Sequence, residues 1–267
     1  MLIDKAGRKL TYLRISVTDR CNLRCTYCMP EEGIKLLDHN GILSYSQIVD
    51  FTKTAVSYGI TKVRLTGGEP LVRKEISTLI KEIAKIEGIT DLSLTTNGQL
   101  LAPMAQELKD AGLQRVNISL DTIDKERYMN ITRGGNIERV FEGISEAKRV
   151  GLSPVKINCV VEQNSSEADA TAVAGFAKRE GLSVRFIRMM DLKKGEFGIV
   201  DGGDGGNCAI CNRLRLTATG ILKPCLFNDL GFDIKELGAE TAIKLAVQNK
   251  PAKGGCNSSG NFYNIGG

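Results

Sequence analysis

SVTDRCNLRCTYCMP, residues Ser16–Pro30, places Cys21, Cys25 and Cys28 in a C-x3-C-x2-C spacing, with Tyr27 directly before the third cysteine. Three thiolates on one short loop can hold three irons of a [4Fe–4S] cube and leave the fourth iron without a protein ligand. An open iron can take a substrate or cofactor, whereas a fully ligated cube mostly passes electrons. Zinc is the alternative, but it usually takes two closely spaced pairs of ligands, and no further Cys or His lies close to this loop.

Outward from the loop, strands and helices alternate. Thr11–Val17 (TYLRISV) reads as the strand that feeds it. Ser46–Tyr58 has the apolar spacing of a helix, with Ser44 or Ser46 as N-cap and Gly59 at its end. The strands that follow are Val63–Thr66, Asp91–Thr95, Arg115–Leu120, Val155–Val161 and Val184–Arg188. The helices between them cover about Glu75–Ile86, Pro103–Ala111, Ile137–Val150 and Ser166–Arg179. This alternation specifies right-handed βαβ units and an α/β fold with a parallel sheet. Six strands are too few for a complete eight-stranded barrel. Lys193–Gly206, rich in Gly and charge, reads as a flexible linker or a tight loop. It divides residues 1–192 from a smaller region, 193–267, with a helix at about Ala239–Val247 and an irregular end from Pro251.

The cysteine spacing with its aromatic resembles the signature of radical S-adenosylmethionine (SAM) enzymes. The wider wording RISVTDRCNLRCTYCMP resembles their GTP 3′,8-cyclase family, which acts in molybdenum-cofactor biosynthesis. That resemblance implies a partial (β/α)6 barrel with a small C-terminal auxiliary iron–sulfur region. It implies that SAM binds the open iron and is cleaved to a 5′-deoxyadenosyl radical. The radical removes the hydrogen at C3′ of GTP, and the carbon then attacks C8 of guanine. The expected product is (8S)-3′,8-cyclo-7,8-dihydroguanosine 5′-triphosphate, and the enzyme is a lyase.

Site residues follow by the same resemblance. Gly67-Gly68-Glu69-Pro70, directly after a strand, matches the motif that holds the SAM amino group; by itself it could be a plain turn. Tyr27, Thr95, Ser119 and Met190 match further SAM contacts, although Thr95, Ser119 and Met190, each taken alone, are ordinary strand-end or core residues. Arg14, Lys62, Arg64, Lys156, Arg185, Arg213 and Arg215 match GTP-binding positions. Residues two apart on a strand share a face, so Lys62/Arg64 and Arg213/Arg215 (if extended) each present two charges together. Cations converging in a barrel repel unless an anion such as a triphosphate neutralises them. Arg14 and the terminal Gly266-Gly267, whose tail reaches the active site in the family, are the expected catalytic residues.

Cys208, Cys211 and Cys225 form a second set, C-x2-C-x13-C. Alone it could be three quarters of a zinc ribbon, with Cys256 as fourth ligand. CNRLRL followed by GILKPCLF instead resembles the family's auxiliary-cluster segment, which implies two [4Fe–4S] clusters and SAM as cofactors. In one respect the chain departs from the family: Leu192–Asn207 is several dozen residues shorter than its counterpart. A radical SAM enzyme of another branch, such as a peptide-modifying maturase, is the competing assignment. A non-catalytic iron–sulfur or zinc protein is the bland one.

Composition narrows the classes. Eight cysteines with no apolar leader argue for metal or redox chemistry rather than a disulfide scaffold. A net charge of +5 suits an anionic small substrate, and with no tryptophan there is little provision for nucleic acid. No run approaches the roughly 20 apolar residues that span a bilayer, so no membrane partner and cytoplasmic residence are expected. The chemistry needs an electron donor of flavodoxin or ferredoxin type. The oligomeric state is left open, a homodimer included.

Overall fold

The computed structural model describes residues 1–258 and 262–265. Nine strands form one sheet: β1 Tyr12–Ser16, β2 Lys62–Thr66, β3 Asp91–Thr96, β4 Arg115–Ser119, β5 Lys156–Val161, β6 Ser183–Arg188, β7 Arg213–Leu216, β8 Ile221–Lys223 and β9 Phe232–Asp233. Their spatial order is β6-β5-β4-β3-β2-β1-β7-β8-β9. The first six pair in parallel, as the βαβ reading requires. β7 also joins β1 in parallel, and β8 and β9 then turn antiparallel.

The helices are α1 Tyr45–Ser57, α2 Ile76–Ala84, α3 Leu101–Asp110, α4 Lys125–Thr132, α5 Ile137–Arg149, α6 Ala168–Glu180, α7 Ile234–Leu237 and α8 Ala239–Gln248. Ser44, the expected cap of α1, closes a capping box: its hydroxyl accepts from the Gln47 amide and Gln47 Oε1 accepts from the Ser44 amide. Two expectations need correction. The β4–β5 connection contains two helices, because the polar segment KERYMNIT forms α4. The end of the chain is not wholly irregular, since Phe262–Ile265 forms one helical turn.

Why the sheet makes a site is legible in its alternation. Parallel strands covered on both faces are ordinarily apolar throughout. Here only one face is apolar: Leu13, Ile15, Val63, Leu65, Leu92, Leu94, Val116, Ile118, Ile157, Cys159, Leu214 and Leu216 are all buried in the main core against the helices. Cys159 is therefore a core residue, as its strand context indicates. The opposite face, one residue out of phase, carries Arg14, Arg64, Ser93, Arg115, Asn117, Lys156, Arg185 and Arg215, matched across the strands in register. A face this polar cannot be a packed core; it is the lumen of an open barrel.

The segment after β6 is a tight loop. Asp191 and Glu196 bridge, and Asp201 pairs with Phe186 on the free edge of β6. A second small core of Leu192, Leu226, Phe227 and Ile265 lies there, with Phe197 stacked on Phe227 at 4.3 Å.

Candidate active site

The cysteine loop leaves β1 at the carboxyl edge of the sheet, where sites collect in βα folds. Its backbone turns tightly at the motif: the Cys28 and Met29 amides both donate to the Cys25 carbonyl, at 2.9 and 3.0 Å. The missed helix α4 braces it. Amides of Arg24 and Thr26 donate to the Thr132 and Ile131 carbonyls. Arg133 caps α4 in the left-handed conformation (φ 52°), and its Nη1 donates to the carbonyls of Arg24 (3.0 Å) and Met29 (2.9 Å).

Gly67 and Gly68 pack against this loop. A Cβ at Gly67 would lie 2.6 Å from the Thr18 carbonyl oxygen, and one at Gly68 would lie 2.4 Å from that of Arg20. The glycines let the β2 end and the cysteine loop meet backbone to backbone, with the Gly68 and Glu69 amides donating to Thr18 and Arg20. Glu69 is buried, and its carboxylate accepts from the Leu71 amide, the Thr96 hydroxyl and the Asn97 amide at 2.7–3.0 Å. Burial outweighs those donors and pushes its carboxyl up to about 7.

The three thiols are half-buried and mutually close enough to repel as thiolates. Burial first, then Asp121 and the neighbouring cysteines, pushes Cys25 up to about 12; burial and Cys21 push Cys28 to about 11. Burial raises Cys21 as well, against donors from Leu23 (3.4 Å) and Asn97 (3.8 Å). Such a triad is stable as thiolates only with a metal cation to neutralise it, and this donor set fits a cluster. Tyr27 donates its hydroxyl to Asp121 Oδ2 at 2.7 Å, while Asp121 Oδ1 accepts from the Val160 amide at 2.8 Å. Asp121 thus ties the cysteine loop to β4 and β5. Asp121 stands two residues after Ser119, and nothing in the sequence distinguished it from a strand-end acid.

Tyr27 and Cys28 open onto a cleft of about 860 Å³ shared with Met190, Leu192, Phe197 and Phe262. Thr95 and Ser119 stand on β3 and β4 of the lumen face, and Thr95 Oγ1 is buried without a hydrogen-bond partner. Tyr12 Oη and Asn117 Nδ2 on the same face are likewise buried and unpartnered. Orphaned polar atoms of this kind are what a polar ligand would satisfy.

All seven expected cations lie on the lumen face. Tyr12, Lys62 and Arg213 are in register, as are Arg14, Arg64 and Arg215. The Arg64 and Arg213 guanidiniums both sit over the Tyr12 ring, 5.4 and 5.6 Å from its centroid. Burial, then Arg215, pushes Arg14 well below its ordinary range; burial also lowers Arg215 and takes Arg64 down to about 10. Burial lowers Lys156 and Arg185 too, with neighbouring arginines adding to the effect. Lys62, at the start of β2, is exposed. Sequence reasoning missed Asp91, which holds Arg115 with two hydrogen bonds at 2.6 and 2.9 Å on this face and so leaves less acid for the other cations.

The second cysteine set adjoins Arg213 and Arg215. Cys208 and Cys211 are joined by a single 3-10 turn, and Cys225 packs against the small core with Met190. Burial pushes the Cys211 thiol up, but Lys250, the Arg213 amide and the charges of Arg213 and Arg215 together bring it below the ordinary value. Lys250 and Arg215 both feel Cys225 as well as Cys211, so these two thiols share one cationic pocket. Cys256 is exposed, with its sulfur beside Gly195. Among the described residues no three His, Cys, Asp or Glu side chains close on a single ion. The expected Gly266 and Gly267 lie outside the described residues. Among the described residues, no helix is long and apolar enough to cross a membrane.

Comparison with known proteins agrees with this geometry. The Radical SAM superfamily model matches residues 15–177 and the Molybdenum Cofactor Synthesis C model residues 156–254. The chain is 42% identical to the GTP 3′,8-cyclase of Thermodesulfovibrio yellowstonii, over 89% of this chain and 89% of that protein. It is 41% identical to the GTP 3′,8-cyclase of Aliarcobacter butzleri, over 95% and 94% respectively. That alignment runs over 303 positions against 267 residues here, so the relative carries residues that this chain lacks. Among solved structures, Streptococcus suis SuiB bound to S-adenosylmethionine is similar with a TM-score of 0.63 at 15% identity, over 92% of this chain and 66% of SuiB. Native anSMEcpe with bound AdoMet follows at 0.59 and 18%, over 94% of this chain and 93% of that one. At those identities the likeness is one of fold.

Proposed function

The chain belongs to the GTP 3′,8-cyclase family of radical SAM enzymes, and from that premise we propose how its lumen divides the work of converting GTP to 3′,8-cyclo-7,8-dihydroguanosine triphosphate. When bound, the first cluster and SAM supply the 5′-deoxyadenosyl radical that takes H3′ of GTP. Cys21, Cys25 and Cys28 hold that cluster. Tyr27, Gly67, Gly68, Glu69, Thr95, Ser119 and Met190 hold SAM along the carboxyl rim. Arg14, Lys62, Arg64, Lys156, Arg185, Arg213 and Arg215 bind GTP, their charges meeting the triphosphate. Cys208, Cys211 and Cys225 hold a second [4Fe–4S] cluster at the far side of the same cations.

The observation that carries this reading is the lumen face itself. Repelling cations and unpartnered Tyr12, Thr95 and Asn117 atoms lie together on one wall. Folding alone gives no reason to bury that many positive charges; a polyanion held between the two cysteine sets does. Arg14 lies between Arg64 and Arg215 in register, which supports a role in keeping the reacting nucleotide still, where much of an enzyme's rate originates. Gly266 and Gly267, which lie outside the described residues, keep the catalytic role in this proposal on the family resemblance.

Residues 1–192 form the SAM-binding part and 193–267 the second-cluster part, although the sheet runs through both. A cytoplasmic location and a flavodoxin- or ferredoxin-type donor complete the proposal, since the chemistry consumes an electron that no side chain of the site provides. The test is anaerobic incubation of the reconstituted protein with SAM, dithionite and GTP deuterated at C3′. Deuterium in the 5′-deoxyadenosine together with a cyclised product is expected. Deoxyadenosine without deuterium would leave the radical chemistry and remove GTP as its substrate.

A further inference from the structure

Two buried cations contact the backbone around the second cysteine set. Arg8 is 8% exposed and Lys250 5%. Arg8 Nη1 donates to the carbonyls of Cys208 (2.6 Å) and Ala252 (3.1 Å), and Nη2 donates to that of Pro251 (2.7 Å). Its Nε donates to Asp4 Oδ2 at 2.7 Å. Asp4 is fixed in turn, because its Oδ1 accepts from the Ala6 and Arg8 amides at 3.0 and 2.9 Å. Lys250 Nζ donates to the carbonyls of Arg213 (2.8 Å) and Pro224 (2.6 Å). The carbonyls chosen are those of Cys208 itself, of the residue before Cys225, and of the strand that starts two residues after Cys211.

We propose that Arg8 and Lys250 are positioning residues of the second cysteine set, holding Cys208 and Cys225 in place through their backbones and setting how tightly a thiolate-bound cluster is kept. The inference rests on the reading of that set as a cluster site. Cys208 sits in one 3-10 turn, a weak local structure, and Cys225 follows a three-residue strand. Neither segment fixes its cysteine unaided. A buried guanidinium has five donors in a rigid plane and can tie several carbonyls at once. An ammonium has three donors, and Lys250 spends two of them on carbonyls. Both place positive charge behind thiolates whose net charge in a cluster is negative.

The test uses the whole chain with Cys21, Cys25 and Cys28 replaced by alanine, so that any iron belongs to the second set. After anaerobic reconstitution, iron and sulfide are counted, the reduced protein's electron paramagnetic resonance (EPR) spectrum is recorded, and iron retention is titrated against a chelator. Arg8→Gln and Lys250→Met are then compared in that background. Retention weakened about ten- to a hundredfold, with an altered EPR signature of the remaining cluster, is expected. Parent-like retention and spectrum in both would overturn the proposal, even if Tm falls, since a merely structural staple moves Tm alone. Should Arg8→Gln fail to fold, Arg8→Lys decides. It keeps the charge but reaches fewer carbonyls, so intermediate retention is expected and parent-like retention refutes the role. If the alanine background itself holds no iron, or holds zinc in its place, the cluster reading fails at that step and takes this inference with it.

Discussion

Cys25 and Cys211 are both half-buried cysteines in short turns, yet their surroundings push them in opposite directions. Around Cys25 the neighbours are Asp121 and two more thiols, and its own thiol is driven up to about 12. Around Cys211 the neighbours are Lys250, Arg213 and Arg215, and its thiol falls below its ordinary value despite burial. The first set is framed by neutral hydrogen bonds and acids, with Glu69 and Asp121 nearby; the second is framed by cations. One chain has therefore built two cysteine sets in surroundings of opposite polarity. The acidic frame suits the zwitterionic SAM, whose amino group is cationic. The basic frame suits an anionic ligand, and its arginines, Arg213 and Arg215, are among the cations proposed above to meet the nucleotide.

The largest test of this contrast is Cys25→Ala, which is expected to abolish reductive SAM cleavage; chromatography for 5′-deoxyadenosine measures it, and normal production would remove the first assignment. Arg213→Ala acts on the other side. SAM cleavage should survive while GTP affinity by calorimetry falls about ten- to a hundredfold, the worth of one charge-assisted contact. Unchanged affinity would separate the arginines from the substrate. Tyr27→Phe is gentler: it leaves buried Asp121 without its 2.7 Å donor. First-cluster iron should then be lost to chelator about tenfold more readily with the second cluster's spectrum unmoved, and equal loss from both would blur the distinction drawn here.

The smallest effect is a shift of pH alone. In the iron-free chain, alkylation proceeds through the thiolate, so a lowered pKa brings labelling on at lower pH and a raised one delays it. Cys211 should therefore label at lower pH than Cys25 and Cys28. Coincident profiles by peptide mass spectrometry would show that the two frames do not differ.

Much of this was legible in the sequence because it depends on local periods. Strict alternation in TYLRISV and in KVRLT is enough to put Arg14 and Arg64 on one face, and the observed strands keep that phase. What escaped depends on register or on backbone. α4 is polar, with only Tyr128 and Thr132 buried, and so carries no strong apolar stripe. The Asp91–Arg115 pair is set by the neighbouring registers of β3 and β4, not by any motif. Arg8 and Lys250 bind carbonyls, which have no residue identity to read, and Arg8 reaches a partner 200 positions away. The family resemblance singled out the cysteines expected to hold clusters, while the side chains that contact their backbones emerge only in three dimensions.

β7 lies beside β1, with Tyr12 opposite Arg213. In time, this adjacency imposes an order on assembly. A growing chain can pair β1 through β6 by successive neighbour contacts, and the first cysteine loop is among the earliest parts synthesised. The free edge of β1 must wait for a strand made some 200 residues later, and contacts of such long sequence separation form slowly. The cations of β1–β6 can therefore assemble early, whereas Arg213 and Arg215 on β7, and the second cysteine set around them, join the sheet only once synthesis is nearly done, so a shortened product would keep the first cysteine loop and lack both.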